Sequence, residues 1–202
     1  MVINYFKNMK NGNLKLAIQK DGRLTRETIN LLYESGLEFD VYKQSLFSSC
    51  RNFPLNILYL RDDDIPNYVE RGAVDLGVVG QNIIYESNNC VTNIIELNFG
   101  FCSLSIAVPE ESNIKKIEQL ENAKIATSYP NSTKEYFIKK NIPVNIIAVT
   151  GSVEITPALG IADAIADLVA TGRTLALNDL RVIGKIYDSQ AILITGSKNN
   201  LS

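Results

Sequence analysis

The 202-residue chain is predicted to be an α/β protein, because short apolar runs alternate with helical segments along most of its length. The clearest run is Ala164–Val169, AIADLV, in which one carboxylate interrupts five apolar residues; a loop of small residues and the start of a helix follow it. Leu14–Ile18 shows the same order, with an alternating strand, a polar turn and then an amphipathic segment. Ala73–Gly80, AVDLGVVG, is a third buried strand. Strands that lead into helices in this way are typical of α/β architecture.

The composition excludes several kinds of partner and of chemistry. A net charge of −2, with no basic tract, argues against nucleic acid, and no apolar run has the length of a membrane span. Three scattered cysteines and a polar N-terminus without a secretory h-region predict a reduced, cytoplasmic protein. The sequence has no histidine, which excludes Ser-His-Asp catalysis and histidine metal ligands. Carboxylates, lysines, arginines, hydroxyls and backbone amides remain for any chemistry.

In the first half of the chain, Thr25 is predicted to cap a helix over Arg26–Ser35 that Gly36 ends. Lys20 and Arg23 precede this helix, at the carboxyl end of the first strand, which is the usual ligand edge of an open sheet. A solvated loop is the favoured interpretation of these two cations taken alone. The strands predicted in this half are Leu14–Ile18, Ile57–Leu60 and Ala73–Gly80.

Three consecutive aspartates, Asp62–Asp64, precede a short helix with Pro66 in its first turn and Gly72 at its end. A metal site is one interpretation of such a run. Capping of the helix by Asp63 or Asp64 is the favoured one, because carboxylates accept hydrogen bonds from first-turn amides.

In the second half, Ser132 or Thr133 is predicted to cap a helix over Lys134–Lys140, which Asn141 ends. The strands predicted there are Phe99–Pro109, Lys124–Thr127, Val144–Val149, Ala164–Val169, Ile186–Tyr187 and Ala191–Ile194.

The loop after Ala164–Val169 has the features of a phosphate site. Its residues are Ala170, Thr171, Gly172, Arg173 and Thr174. Amides at a helix start attract anions, glycine lets the backbone approach a ligand, and the hydroxyls and guanidinium add donors. Asp163 and Asp167 lie four residues apart on one face and suit sugar hydroxyls or a magnesium-bound group. A sugar-phosphate site is therefore predicted, with an ordinary strand-to-helix turn as the alternative.

These residues resemble the signature of ATP phosphoribosyltransferase, the enzyme of the first step of histidine biosynthesis. The resemblance extends from Leu14 to Thr195. It is carried by the segments IQKDGRL from Ile18, RDDDIP from Arg61, GAVDLGVVG from Gly72, ATSYP from Ala126, GSVE from Gly151, PALGIADAI from Pro157 and DLVATGRTL from Asp167.

The resemblance implies two α/β lobes joined by paired crossover strands, like a type II periplasmic binding protein, with the substrates in the cleft. Lobe I is expected to comprise residues 1–104 and 184–202, and lobe II residues 105–183. Some members of the family carry a C-terminal regulatory domain that binds histidine, and this chain stops before it. Either a short form with a separate regulatory subunit or the catalytic part of a longer chain fits. Homo-oligomers, dimers or larger, are expected.

The implied reaction is attack by N1 of the adenine of ATP on C1 of 5-phosphoribosyl-1-pyrophosphate, which expels pyrophosphate. The 170–174 loop would hold the 5-phosphate, while Asp163, Asp167 and Glu154 would contact the ribose. Arg23 and Arg51 would stabilise the pyrophosphate as charge develops on it. Mg²⁺ is expected to be carried by the substrate phosphates, without a protein metal site. The residues expected on the ATP side are Lys20, Asp75 and Tyr129.

Two other functions remain open. Two lobes around a cleft are also the shape of a non-enzymatic solute-binding protein, and fold alone does not decide function. A catalytically silent subunit that only scaffolds a partner is the second. The acidic residues that lead directly into the phosphate loop favour the enzyme over both.

Overall fold

The computed structural model describes residues 12–42 and 45–197, which form two compact units. The first unit contains the described residues up to 84 together with 88–100 and 190–197; the second contains 85–87 and 101–189. From the sequence we expected these boundaries after residues 104 and 183. The difference arises because the strands that begin at Cys102 and end at Ser189 pair with each other along their length, so both belong to the second unit.

The described residues form eleven strands and five helices. The strands are β1 Leu14–Gln19, β2 Phe47–Ser49, β3 Leu55–Leu60, β4 Leu76–Gly80, β5 Val91–Glu96, β6 Cys102–Pro109, β7 Lys124–Thr127, β8 Asn145–Ala148, β9 Ala164–Val169, β10 Leu180–Ser189 and β11 Ala191–Gly196. The helices are α1 Thr25–Glu34, α2 Ile65–Glu70, α3 Gln81–Glu86, α4 Pro130–Lys139 and α5 Arg173–Leu177. No helix among them has the length and apolar character that crossing a bilayer requires.

The first unit contains a six-stranded sheet in the order β2-β3-β1-β4-β11-β5. Strand β1 is parallel to β3 and β4, whereas β2, β11 and β5 run antiparallel to their neighbours. The carboxyl ends of β1, β3 and β4 therefore meet along one side of the sheet, which we call the carboxyl edge of the first unit.

The second unit contains a five-stranded sheet in the order β10-β6-β9-β7-β8. Strands β7, β8 and β9 are parallel, and β6 and β10 are antiparallel to their neighbours. The carboxyl ends of the three parallel strands form the carboxyl edge of the second unit. Strand β9 is central in this sheet, and its residues Ala164–Ala166 are fully buried. Apolar clusters cover both faces of each sheet, so both units have their own cores.

The predicted strands are confirmed, but the predicted N-terminal helix caps are wrong. Helix α1 begins at Thr25, whose hydroxyl donates to the Gln19 carbonyl (3.1 Å), while Gln19 Oε1 accepts from the amide of Leu24 (3.0 Å). Helix α2 follows a 3-10 turn over Asp62–Asp64 and has no side-chain cap; Asp62 instead accepts from Gln19 Nε2 (2.9 Å).

Helix α4 begins four residues earlier than predicted, at Pro130. The carboxylate of Glu86 accepts from the amides of Asn131 (2.8 Å) and Ser132 (2.9 Å), which lie in the first turn. The predicted cap residue Thr133 is a buried helical residue whose hydroxyl donates to the carbonyl of Tyr129 (2.7 Å). The helix is therefore capped by a residue more than forty positions earlier in the chain.

Candidate functional site

The carboxyl edge of the second unit brings three loops together. Tyr129 follows β7, the turn that contains Glu154 follows β8, and residues 170–172 follow β9. Because these strands are parallel neighbours, the loops emerge from the same side of the sheet. The hydroxyl of Ser128 donates to the carbonyl of Val149 (2.9 Å), which ties the first two loops to each other. The structure thus places Tyr129, Glu154 and the 170–174 loop at one edge.

The 170–174 loop is open to a ligand. The side chains of Thr171, Arg173 and Thr174 are exposed, and Leu175 is buried beneath them, which anchors the one-turn helix α5 to the core. Gly172 has φ +73°, a left-handed conformation that glycine adopts without steric cost. No other described residue lies within 4 Å of the point that its Cβ would occupy. This loop can therefore present amides and hydroxyls to an anion.

Asp167 lies near the carboxyl end of β9 and is mostly buried. Burial raises the pKa of its carboxyl, and the nearby carboxylate of Glu154 raises it further, whereas the hydrogen bond from the amide of Leu168 (2.8 Å) opposes both. Two carboxylates therefore share one region beside the loop. Their repulsion is relieved by hydroxyl donors or by a cation, both of which a sugar phosphate with bound Mg²⁺ would bring.

Asp163 does not join this group. It precedes β9, is exposed, and accepts a hydrogen bond from the amide of Lys124 (2.8 Å) at the amino end of β7. Four residues along a strand correspond to roughly 13 Å, so the length of β9 separates Asp163 from the loop. Asp163 thus lies before the start of β9, whereas Asp167 lies near its carboxyl end.

Lys20 and Arg23 lie at the carboxyl edge of the first unit. The amide of Lys20 donates to the carbonyl of Leu60, the last residue of β3 (2.8 Å). Arg23 Nη1 donates to the carbonyl of Gly100, and its Nη2 lies beside Gly80, the last residue of β4. Lys20 also lines a pocket of about 210 Å³, together with Asp21, Thr25, Ile29, Val41, Tyr42, Ser45 and Tyr59.

Arg51 and Asp75 lie at the opposite, amino side of the same sheet. The residue before Arg51, Cys50, donates its amide to the carbonyl of Leu55 at the start of β3 (2.9 Å). Arg51 itself forms an ion pair with Asp40 (2.6 Å). Asp75 precedes β4 and accepts from the amide of Lys15 (2.8 Å). Because β1 is six residues long, about 17 Å of sheet separates Arg51 from Arg23.

Several residues that organise these edges were not predicted. Gln19 is buried; its amide oxygen accepts from Leu24 in the turn before α1, and its amide nitrogen donates to Asp62 in the turn before α2. A polar residue that ends an apolar strand is the signal that could have identified it. The contacts of Glu86 and Gly100 join residues 45 and 77 positions apart, and no local pattern indicates them. Among the described residues, Asp62–Asp64 included, no group of three or more carboxylates and cysteines is arranged to hold a metal ion.

A groove of about 380 Å³ in the second unit lies away from these loops. Tyr187, which lines it, pairs with Leu104, whereas Asp167 pairs with Ser105. Since Leu104 and Ser105 are consecutive, their side chains point to opposite faces of the sheet. The groove and Asp167 are therefore on different faces. The residues that line the groove are Tyr85, Ser132, Glu135, Tyr136, Lys139, Ile186 and Tyr187.

Known structures confirm the predicted fold. The chain matches a structure of the ATP phosphoribosyl transferase (HisG:HisZ) complex from Thermotoga maritima with a TM-score of 0.76 and 28% identity, over 91% of this chain and 87% of that one. It also matches the arginine-bound form of truncated ArgBP from T. maritima, with a TM-score of 0.57 and 14% identity over 96% and 92% of the two chains. The second likeness shows the fold alone, which is that of type II periplasmic binding proteins.

Sequence comparison identifies the family. The chain is 46% identical over 180 residues to an ATP phosphoribosyltransferase of Cytophaga hutchinsonii, which corresponds to 89% of this chain and 63% of that relative. It thus spans less than two thirds of the relative's length. The family model described as "HisG: ATP phosphoribosyltransferase" matches residues 61–201, more than half of the chain. The chain belongs to the ATP phosphoribosyltransferase (HisG) family.

Proposed function

We propose that this chain catalyses transfer of the phosphoribosyl group of 5-phosphoribosyl-1-pyrophosphate to N1 of the adenine of ATP, the first step of histidine biosynthesis. Family membership gives the class of reaction. The observation that carries the proposal is the meeting of Glu154, Asp167 and the open 170–174 loop at one edge of the second unit. Carboxylates beside an anion-binding loop match a substrate that has both ribose hydroxyls and a 5-phosphate.

The loop and the two carboxylates have different roles in this site. Thr171, Gly172 and Thr174 offer hydroxyls and backbone amides to the 5-phosphate, with Ala170 in the same backbone run and Arg173 adding charge. Asp167 and Glu154 accept hydrogen bonds from the ribose hydroxyls, which lowers the cost of keeping Asp167 ionised in a buried position. Asp163 is left out of this site because it lies at the other end of β9.

The chemical step needs positioning and charge stabilisation. The lone pair of adenine N1 forms the new bond to C1, and the electrons of the C1–O bond leave with pyrophosphate. Arg23 is assigned to the pyrophosphate because its guanidinium lies at the carboxyl edge and its fork of donors matches phosphate oxygens. Arg51 is not given this role, since it lies at the amino side and is paired with Asp40.

Mg²⁺ is proposed to enter with the substrates. When bound, it neutralises charge on the pyrophosphate and the ATP phosphates. Asp167 and Glu154 are the oxygen donors at this edge that fit an ion carried mainly by phosphate and water.

The ATP side is assigned to Lys20 and Tyr129, each at the carboxyl edge of its own unit. Lys20 borders a pocket with tyrosine and aliphatic walls, which suits the flat face of a purine while the ammonium meets a phosphate. Asp75 is left out, because its carboxylate is engaged by β1 at the amino side.

Protein partners are proposed from the family. The related T. maritima chain is in a complex named HisG:HisZ. We expect a separate regulatory subunit of that kind to bind this chain, and we expect the chain to associate with itself.

A continuous assay tests the proposed function. The purified chain is mixed with ATP, 5-phosphoribosyl-1-pyrophosphate, Mg²⁺ and pyrophosphatase, with each substrate omitted in turn and with a HisZ-type subunit added in a parallel series. Phosphoribosyl-ATP that forms only when both substrates are present supports the proposal. Ligand binding without product in both series would favour a two-lobed binding protein, and the absence of both binding and product would refute the assignment.

A further inference from the structure

We propose that Gly100 is a positioning residue for Arg23, an inference that rests on the proposed role of Arg23 at the pyrophosphate. Arg23 Nη1 donates a hydrogen bond to the carbonyl of Gly100, 77 residues later in the chain. Both residues belong to the first unit, in which Gly100 is the last residue before the chain enters the second.

The space around the guanidinium depends on two glycines. A Cβ at Gly100 would lie 3.3 Å from Arg23 Nη1 and 2.2 Å from Leu24 Cδ2, and a Cβ at Gly80 would lie 3.4 Å from Arg23 Nη2. Gly100 also has φ +64°, in the left-handed region that disfavours other residues. The guanidinium is therefore flanked on two sides by residues without side chains.

The carbonyl that receives Arg23 is itself held in place. The amide of Ala191, the first residue of β11, donates to the carbonyl of Phe99 (2.9 Å), and the amide of Leu97 donates to the carbonyl of Ala191 (2.9 Å). Gln190 Nε2 donates to Glu96 on the adjacent strand (2.7 Å). The segment that leads to Gly100 is thus fixed to the sheet by hydrogen bonds at residues 96, 97 and 99, up to the residue directly before the one that Arg23 contacts.

The hydrogen bond to Gly100 lowers the entropy that Arg23 loses when a ligand binds. Arginine loses much rotamer freedom when it is fixed, and an anchored guanidinium has already lost it before the ligand arrives. One donor of the fork is used on the carbonyl, and the remaining donors stay available for phosphate oxygens. Gly100 therefore acts through Arg23, because it sets the direction in which the free donors point.

A double-mutant cycle tests the inference. The dissociation constant of magnesium pyrophosphate is measured by calorimetry for the wild type, Gly100→Ala, Arg23→Ala and the double variant. We expect Gly100→Ala to weaken binding about fivefold or more in the wild-type background and less than about twofold in the Arg23→Ala background, since coupled residues are not additive. Gly72→Ala is the matched control, because Gly72 has φ +68° and no described residue within 4 Å of its Cβ position.

Equal weakening in both backgrounds, or none in either, overturns the positioning role. If Gly72→Ala weakened magnesium pyrophosphate binding to the same extent, backbone strain alone would explain the effect. That result would also overturn the positioning role of Gly100. Failure of the wild type to bind magnesium pyrophosphate removes Arg23 from the leaving-group site and the inference with it. The proposed function is judged separately, by turnover of the wild type with both substrates.

Discussion

Replacement of Asp167 by asparagine should stabilise the protein and weaken substrate binding at the same time. Burial and the nearby carboxylate of Glu154 raise the pKa of Asp167 in the fold, so the ionised group opposes folding. Asparagine keeps an oxygen that can accept from the amide of Leu168, and it removes the charge. Relief of electrostatic strain at functional sites is commonly worth about 1 kcal/mol, or roughly 3 °C in a chain of this size.

The pH dependence has a definite sign. A raised pKa means that the native state binds the proton more tightly than the unfolded chain does. The penalty is therefore absent in acid, grows as the pH rises above the usual aspartate value of 3.8, and is complete above the folded pKa. Thermal unfolding at several pH values should show Asp167→Asn more stable than the wild type near neutrality, with the difference vanishing in acid.

Binding should change in the opposite direction. A hydrogen bond to a charged group contributes roughly 1.5–3 kcal/mol and one to a neutral group about 1, so the loss of charge should weaken 5-phosphoribosyl-1-pyrophosphate binding about tenfold. The substrate-dependent rise in melting temperature reports this affinity. Asp163→Asn is the control and should change neither quantity, because Asp163 lies at the far end of β9. An Asp167→Asn protein that is less stable at pH 7, or that binds the substrate as the wild type does, would refute the reasoning.

Three further predictions concern residues outside this site. Arg51→Ala should keep kcat within about threefold and cost at most about 1 kcal/mol of stability, because its ion pair with Asp40 is more than half exposed on both sides. Glu86→Gln should cost about 1 kcal/mol in urea unfolding, because the start of α4 loses the charge of its cap. Burial raises the pKa of Tyr187 to about 12, so at most about 2 kcal/mol of stability should be lost as the pH rises from 10 to 12, measured by denaturation at each pH.

Each of these predictions has its own control. Arg23→Ala, in the same assay as Arg51→Ala, should lose far more activity. If Arg51→Ala lost more activity than Arg23→Ala, the catalytic role would belong to Arg51. Glu135→Gln lies on the exposed side of α4 and should leave stability nearly unchanged; an effect as large as that of Glu86→Gln would contradict the cap. In Tyr187→Phe the extra loss of stability between pH 10 and 12 should disappear, and its persistence would assign the titration to another group.

The strands could be predicted from sequence, because they depend on local pattern. The apolar run of β9 appears in the structure with the predicted bounds. The N-terminal helix caps could not be predicted, because the acceptors come from other elements: Gln19 at α1 and Glu86 at α4. Prediction from local sequence assigns the cap to the nearest hydroxyl or carboxylate, whereas in the structure a side chain from another element accepts the hydrogen bonds.

The positions of the site residues at the sheet edges could be predicted from the sequence only in part. The loop after β9 and the loop after β1 lie at carboxyl edges as predicted, because parallel strands fix that geometry. Arg51 lies at the other side because β2, a three-residue strand too short to recognise, runs antiparallel to β3. The spacing of Asp163 and Asp167 predicts that they share a face, but it does not predict their positions along the strand.

The most direct test of the central claim is the affinity of the 170–174 loop for 5-phosphoribosyl-1-pyrophosphate, measured by calorimetry with Mg²⁺ present. Gly172→Ala and Gly160→Ala form a matched pair in the second unit, with φ +73° and +68° and with open space, among the described residues, around both Cβ positions. Both should lose about 1 kcal/mol of stability from backbone strain. We predict that Gly172→Ala binds the substrate at least about tenfold more weakly than the wild type, while Gly160→Ala binds within about twofold. Equal affinity in all three proteins, or no binding by the wild type, would contradict a phosphoribosyl site at this loop.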